Sequence, residues 1–251
     1  MRKLLLPLSL LFTSLTCFGA TYTPEQIAGF RQGAERGVVG DQFTLGTAYD
    51  GGNGVPENDA EAAKWYRKAA GQGLNIAQYR LGAMYDNGNG VPENDTEAAK
   101  WYRKAAEQGH AWSQYNLAVL YSTGSGVLEN DAEAAKWFRK SAEQGYAEAQ
   151  YDLGFLYDNG NGVPENDAEA AKWYRKAAEQ GHAWSQCNLG LLYGIGSGVP
   201  EDDTVAYMWW NIAAAQGNED AKKNKGLISK RMTKEQIAEA QKLSREWMAK
   251  R

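Results

Sequence analysis

The chain has 251 residues, 43% hydrophobic and 23% charged, a balance that excludes wholesale disorder. Its formal charge of −4, from 27 basic and 31 acidic residues, is the wrong sign for neutralising a phosphate backbone, so nucleic acid is not an expected partner. Two cysteines, Cys17 and Cys187, are too few for a disulfide framework.

In chain order, residues 1–20 come first and read as a secretory signal. Met1-Arg2-Lys3 is basic, Leu4 to Leu15 is almost wholly apolar, and the small residues Gly19 and Ala20 suit cleavage. The apolar run is short for a bilayer span. Cys17 offers a lipoprotein alternative, but Thr16 stands where such a signal wants a smaller residue. The expected product is exported, periplasmic or secreted. Without Arg2 and Lys3 it keeps 25 basic residues against 31 acidic ones, and one thiol, Cys187, either buried or open to cross-linking.

Residues 21–37 are expected to form an N-terminal capping helix. Thr23 is a candidate N-cap and Pro24 takes the first helical position, where its missing N–H costs nothing. Phe30 to Gly37 aligns, 36 residues earlier, with Tyr66 to Gly73, the second half of a repeat whose first half is missing. Terminal units of an array are atypical because one face meets water.

A 36-residue unit then recurs over residues 38–217. Its tryptophan returns as Trp65, Trp101, Trp137, Trp173 and Trp209 without insertion or deletion. A fixed period of this size signals a solenoid, in which each unit buries its apolar face only against its neighbours. In the second repeat, Ala77, Leu81 and Tyr85 stripe a helix A from Asn75 to Asp86. Gly82 interrupts it at a cost of about 1 kcal/mol relative to alanine. Its return as Gly46, Gly154 and Gly190, with Ala118 the one larger substitute, predicts close approach of another helix.

Asn87 to Asn94 reads as a loop, because its glycines admit positive φ and Pro92 stops helix at Val91. Val91, with Val55, Val127, Val163 and Val199, is expected to plug into the helix pair. Asp95 is taken as the cap of helix B, whose wide small-and-aromatic face includes Ala98, Trp101, Tyr102 and Ala105; Gly109 ends it. Short connections stack the antiparallel pairs into a right-handed superhelix. A second period of 72 residues shows in the shared block His-Ala-Trp-Ser-Gln at His110 and His182.

Beyond Gly217 the stripe fails at Lys222, Lys223, Asn224 and Lys225. Thr233 with Gln236 forms a capping arrangement before an amphipathic helix from Lys234 to about Met248. Residues 218–251 are expected to be C-terminal capping helices. The predicted fold is therefore all-α, a solenoid of antiparallel helix pairs with a cap at each end.

The repeated text Ala-x-x-x-Leu-Gly-x-x-Tyr, then Gly-x-Gly-Val, then Asp-x-x-x-Ala-x-x-Trp-Tyr/Phe-x-x-Ala-Ala-x-Gln-Gly resembles the Sel-one-like repeat family, relatives of the tetratricopeptide repeats, over roughly Gly37 to Gly217. Met232 to Ile237 also looks like the tail of bacterial members. Ala118, Leu128, Cys187 and Trp210 depart from the pattern. The resemblance implies an α-superhelical scaffold for protein–protein contacts, in bacteria often exported. Some cysteine-rich relatives have been called β-lactamases, which keeps an envelope hydrolase as the alternative reading, although their paired cysteines are absent here.

Comparing the repeats separates shared packing positions from candidate binding ones. Positions equivalent to 77, 78, 81, 82 and 85 barely change. Those equivalent to 76, 80, 83 and 87 do change, at offsets that share one helical face: Ile76, Trp112, Glu148 and Trp184; Arg80, Asn116, Asp152 and Asn188; Val119, Phe155 and Leu191; Thr123 and Ile195. A varying stripe is not the common packing face and is expected to meet solvent. If helix A lines the concave side, as the resemblance implies, these residues suit an extended peptide or a partner helix. Trp112, Trp184 and Phe155 are then the anchors. Arg80 and Asp152 are the polar discriminators, with Asn116, Asn188 and Glu148 lining the same stripe. The competing reading has the two indoles merely packing on the preceding helix B.

His110 and His182 are two repeats apart, too far for a metal pair, and are read as solvated helix-start residues with no neighbour to make a nucleophile–base pair. Asp86 to Gly90 imitates a calcium loop but puts glycines at two ligand places. No cofactor, metal or catalytic residue is expected. The expected partner is a protein or peptide, and the chain is expected to be monomeric.

Overall fold

The structure, a computed structural model, describes residues 21–250; the leader and Cys17 lie outside the described residues. These form thirteen helices and no strand: α1 Pro24–Glu35, α2 Val39–Asp50, α3 Asp59–Gly71, α4 Asn75–Asn87, α5 Asp95–Glu107, α6 Ala111–Thr123, α7 Asp131–Glu143, α8 Ala147–Asn159, α9 Asp167–Glu179, α10 Ala183–Ile195, α11 Asp203–Ala215, α12 Glu219–Ile228 and α13 Lys234–Ala249. From α1 to α12 each helix packs on its neighbours in sequence, the pattern of a solenoid, and α13 folds back onto α11. Helices α2, α4, α6, α8 and α10 are the A helices, and α3, α5, α7, α9 and α11 the B helices.

The N-terminal α1 stands where a helix B would. Its Arg31 donates to the Tyr49 hydroxyl at 2.9 Å, as Arg67 donates to Tyr85 at 3.0 Å one repeat later. Thr23 and Gln26 form a reciprocal capping box, as do Thr233 and Gln236 before α13.

The caps of the B helices correct one expectation. Asn94, not Asp95, is the N-cap of α5: its backbone is extended and its side-chain oxygen accepts from the Glu97 N–H at 3.0 Å. Asn58, Asn130 and Asn166 repeat this. Asp95, one residue on, is already helical, where its charge meets the N-terminal dipole without capping it.

The five repeating tryptophans are buried wedges. Trp65 shares a cluster with Ile27 and Ala34 of α1, and Trp101 one with Ala62, Tyr66 and Ala70 of α3. The helix-A glycine has the role the repeats imply: a Cβ on Gly82 would lie 2.7 Å from the Tyr102 ring of α5. Gly90 (φ 66°) sets the next contact, since a Cβ there would fall 2.2 Å from the backbone of Asp59 at the start of the preceding helix B. Loop and helix thus lock successive repeats in register. Val91 is half-buried against the same cores, as anticipated.

A glutamine ladder adds to the stacking. Gln114 of α6 is buried, donates to the Ala106 carbonyl at 3.0 Å and accepts from Gln144 at 2.7 Å; Gln42, Gln78, Gln150 and Gln186 repeat the arrangement. Each rung gives a carbonyl at the end of one helix B a further donor and ties that helix to the next, so the buried amides are paired; among the described residues the buried indole nitrogens of Trp101 and Trp173 find no partner.

Candidate partner-binding face

The variable stripe of the A helices divides in two. The fourth position meets water throughout, and at the first and third, where Ile76, Glu148, Ala83 and Val119 are half-buried, large side chains reach it: Trp112 is 43% exposed, Phe155 43% and Trp184 53%. Leu191 and Ile195 continue the row on α10. Trp112 is not loose, because its ring lies 5.8 Å from that of Tyr79 and edge-on to His110 at 6.0 Å. The indole therefore does contact the preceding repeat while leaving much of its surface outside. Glu148 holds the same register place between the two tryptophans and is half-buried.

The second position, occupied by Arg80, Asn116, Asp152 and Asn188, is half-buried instead. It is turned toward the helix-B ring that covers the glycine. The Tyr102 hydroxyl bonds Asp86 of its own repeat at 3.2 Å and meets Asn116 of the next; Tyr174 does the same with Asp158 and Asn188. In the first such junction Tyr66 bonds Asp50 at 3.0 Å, and Arg80 pairs with the same carboxylate at 3.7 Å.

The junction after the third repeat is built differently. Phe138 replaces the tyrosine and Ser122 the aspartate, and Ala118 replaces the glycine. Without the hydroxyl, Asp152 turns to Tyr115 of α6, whose hydroxyl donates to it. Burial pushes the Asp152 carboxyl up to about 7, with the Tyr115 bond opposing and the nearby Glu148 charge adding to the rise.

The histidines differ from expectation. His110 and His182 are half-buried N-caps, each accepting the N–H of the serine three residues on, at 3.3 and 3.2 Å. They stack on Tyr79 and Tyr151 at 4.9 and 4.8 Å. Burial lowers both imidazoles' affinity for a proton. Each Nδ1 also lies 2.9 Å from a serine hydroxyl, Ser113 or Ser185, so a hydroxyl–imidazole pair exists where none was foreseen. Both serines are wholly buried, which denies them a substrate and leaves the pair a capping device.

Cys187 is buried, and burial raises its thiol to about 11, so it is neither an accessible cross-linker nor an activated nucleophile. Among the described residues no three His, Cys, Asp or Glu side chains converge on one point, and no helix is long and apolar enough to cross a membrane.

At the C-terminal end the stripe runs into a cleft of about 230 Å³ lined by Leu191, Ile195, Trp210, Leu227, Ile228 and Arg231. Arg231 closes one wall through the Gly194 carbonyl at 2.9 Å and the carboxylates of Glu201 and Asp203. Sequence reasoning missed Leu227 and Arg231, which lie beyond the last repeat. The apolar residues at variable positions 191 and 195 were the signal that pointed there.

Known proteins agree with this architecture. The profile of the Sel1 repeat matches residues 42–74, 75–110, 113–146, 147–182 and 185–218. The chain belongs to the Sel1 repeat family. Among solved structures, this Sel1 repeat chain is similar to a protective antigen of uropathogenic Escherichia coli strains with an SLR fold, at 37% identity and a TM-score of 0.80, covering 90% of this chain and 49% of that one. It is similar also to a Sel1 repeat protein from Oxalobacter formigenes, at 37% identity and a TM-score of 0.77, covering 89% of this chain and 91% of the other. The chain thus spans about half the length of the Escherichia coli antigen. No curated protein matches it. Sel1 repeats generally mediate protein–protein contacts.

Proposed function

We propose that the Sel1 array is an exported, non-enzymatic scaffold that holds an extended peptide or partner helix along the A helices, with Trp112, Phe155 and Trp184 as anchors. The supporting observation is the row of large apolar side chains left in water on one face of an otherwise buried stack. An exposed aromatic in fixed position loses little conformational freedom on binding, and interface energy concentrates on such residues. The likeness to an antigen of a pathogen and the basic-apolar-small text of residues 1–20 favour export to the envelope or beyond.

The test is capture of partners from an envelope fraction by the wild-type protein and by Trp112→Ala/Trp184→Ala. Loss of a buried tryptophan anchor typically costs 2 kcal/mol or more, about 30-fold in affinity. Retention of the same proteins by the double variant at equal affinity refutes the reading. Export is checked by the N-terminal mass of the protein recovered from the periplasm, expected to begin just after Gly19 or Ala20.

A further inference from the structure

Charge is sorted between the two sets of helices. The B helices α5, α7 and α9 each carry three acidic and three basic side chains. The five A helices carry Asp41, Asp50, Asp86, Glu148, Asp152 and Asp158, and a single basic side chain, Arg80, which already pairs with Asp50. None of the ion pairs among the described residues involves Glu148 or Asp152. These two lie one turn apart on α8, and the A helices on either side present exposed Trp112 and Trp184 at the register place of Glu148. The field of Glu148 reaches both neighbours, Tyr115 of α6 and His182 before α10.

A face that combines carboxyl groups outside any ion pair with indoles attracts one chemistry above others. A lysine or arginine side chain gains a charge-assisted hydrogen bond from a carboxylate and a cation–π contact from an indole face, and its aliphatic stem covers apolar surface. An acidic segment would meet carboxylates with nothing to offset them.

We propose that the A face takes a protein segment rich in lysine or arginine, with one cationic side chain held by Glu148 and Asp152 between the indoles of Trp112 and Trp184. The proposal rests on the peptide-binding reading above and adds the charge of the partner. A cation beside Asp152 favours its ionised form, so binding releases a proton and strengthens between pH 6 and pH 8. The titratable groups facing Asp152 there are Tyr115 on α6, Tyr146 before α8, and Glu148 and Tyr151 on α8.

The experiment selects binders for the purified protein from a random library of twelve-residue peptides. It then measures selected peptides by fluorescence anisotropy on wild type, Glu148→Lys, Glu148→Gln and Trp112→Ala/Trp184→Ala, with circular dichroism as the folding control. Enrichment of lysine and arginine, with affinity about ten-fold lower in Glu148→Lys, about three-fold lower in Glu148→Gln and weakened by salt, supports the proposal. Recovery on Glu148→Lys when the peptide's lysine is exchanged for glutamate supports it further. Neutral or acidic winners overturn it, as do basic winners indifferent to Glu148 but lost with the tryptophans; both outcomes leave the groove in place. Failure to select any peptide, or peptides that bind the double tryptophan variant equally well, removes the groove and this inference together.

Discussion

Asp152→Asn tests the electrostatics of the face at its most unusual residue. The carboxyl sits among Tyr115, Tyr146 and Tyr151 with its value raised from 3.8 to about 7, burial being the main cause. Between about pH 4 and pH 7 the native carboxyl therefore keeps a proton that the unfolded chain has released. This group's contribution to stability declines as pH rises through that window and is lowest above pH 7. At about 1.4 kcal/mol for each unit, the full cost of the charge has a ceiling of about 4 kcal/mol, of which well over half falls between pH 5 and pH 8. Asp152 keeps some surface in water, so we expect about 1 to 2 kcal/mol over that interval. Urea midpoints of wild type and Asp152→Asn at pH 5 and pH 8 measure it, because the constant part of the substitution cancels in the difference. The variant should gain on wild type as pH rises. The carboxyl carbon of Asp152, followed by NMR, should titrate near neutrality. A midpoint near 4, or a stability difference flat with pH, refutes the reasoning.

The remaining predictions concern the stack. Gly82→Ala gains about 1 kcal/mol of helix propensity but drives a methyl into the Tyr102 ring, which Asp86 holds by its hydroxyl; thermal unfolding should show a net loss of about 1 to 2 kcal/mol, partly recovered in Gly82→Ala/Tyr102→Phe, the pairing that Ala118 and Phe138 already represent. Gln114→Leu removes one donor from the Ala106 carbonyl, which keeps the Gly109 N–H, and takes from Gln144 its acceptor, and should cost about 1 kcal/mol by urea denaturation. Cys187 in the native protein should react with a disulfide reagent no faster than the protein opens, whereas rapid labelling would contradict its burial.

The period of the tryptophans, the glycine at a close helix approach, the valine plug, the Thr23 cap and the Thr233 capping box were legible in the residues. Each is a local demand of helix geometry repeated at a fixed interval, and repetition turns a weak local signal into a strong one. The N-caps were misread by one residue, because an Asn-Asp pair offers two capping side chains and backbone angles decide between them. Variability pointed to the exposed Trp112, Phe155 and Trp184, but the polar residues Arg80, Asn116, Glu148, Asp152 and Asn188, expected to meet solvent with them, are half-buried.

What only the tertiary structure decided joins residues about thirty positions apart. The glutamine ladder, the Tyr102 bridge from Asp86 to Asn116 and the switch of Asp152 to Tyr115 depend on how far one repeat is rotated on the next, a quantity no single repeat encodes. The same holds for the cleft under α12, where the array ends and a degenerate helix covers only part of the last apolar face. Periodicity in the chain dictated that there is a stack, while the packing angle between units determined which polar groups are enclosed in it and which are left for a partner.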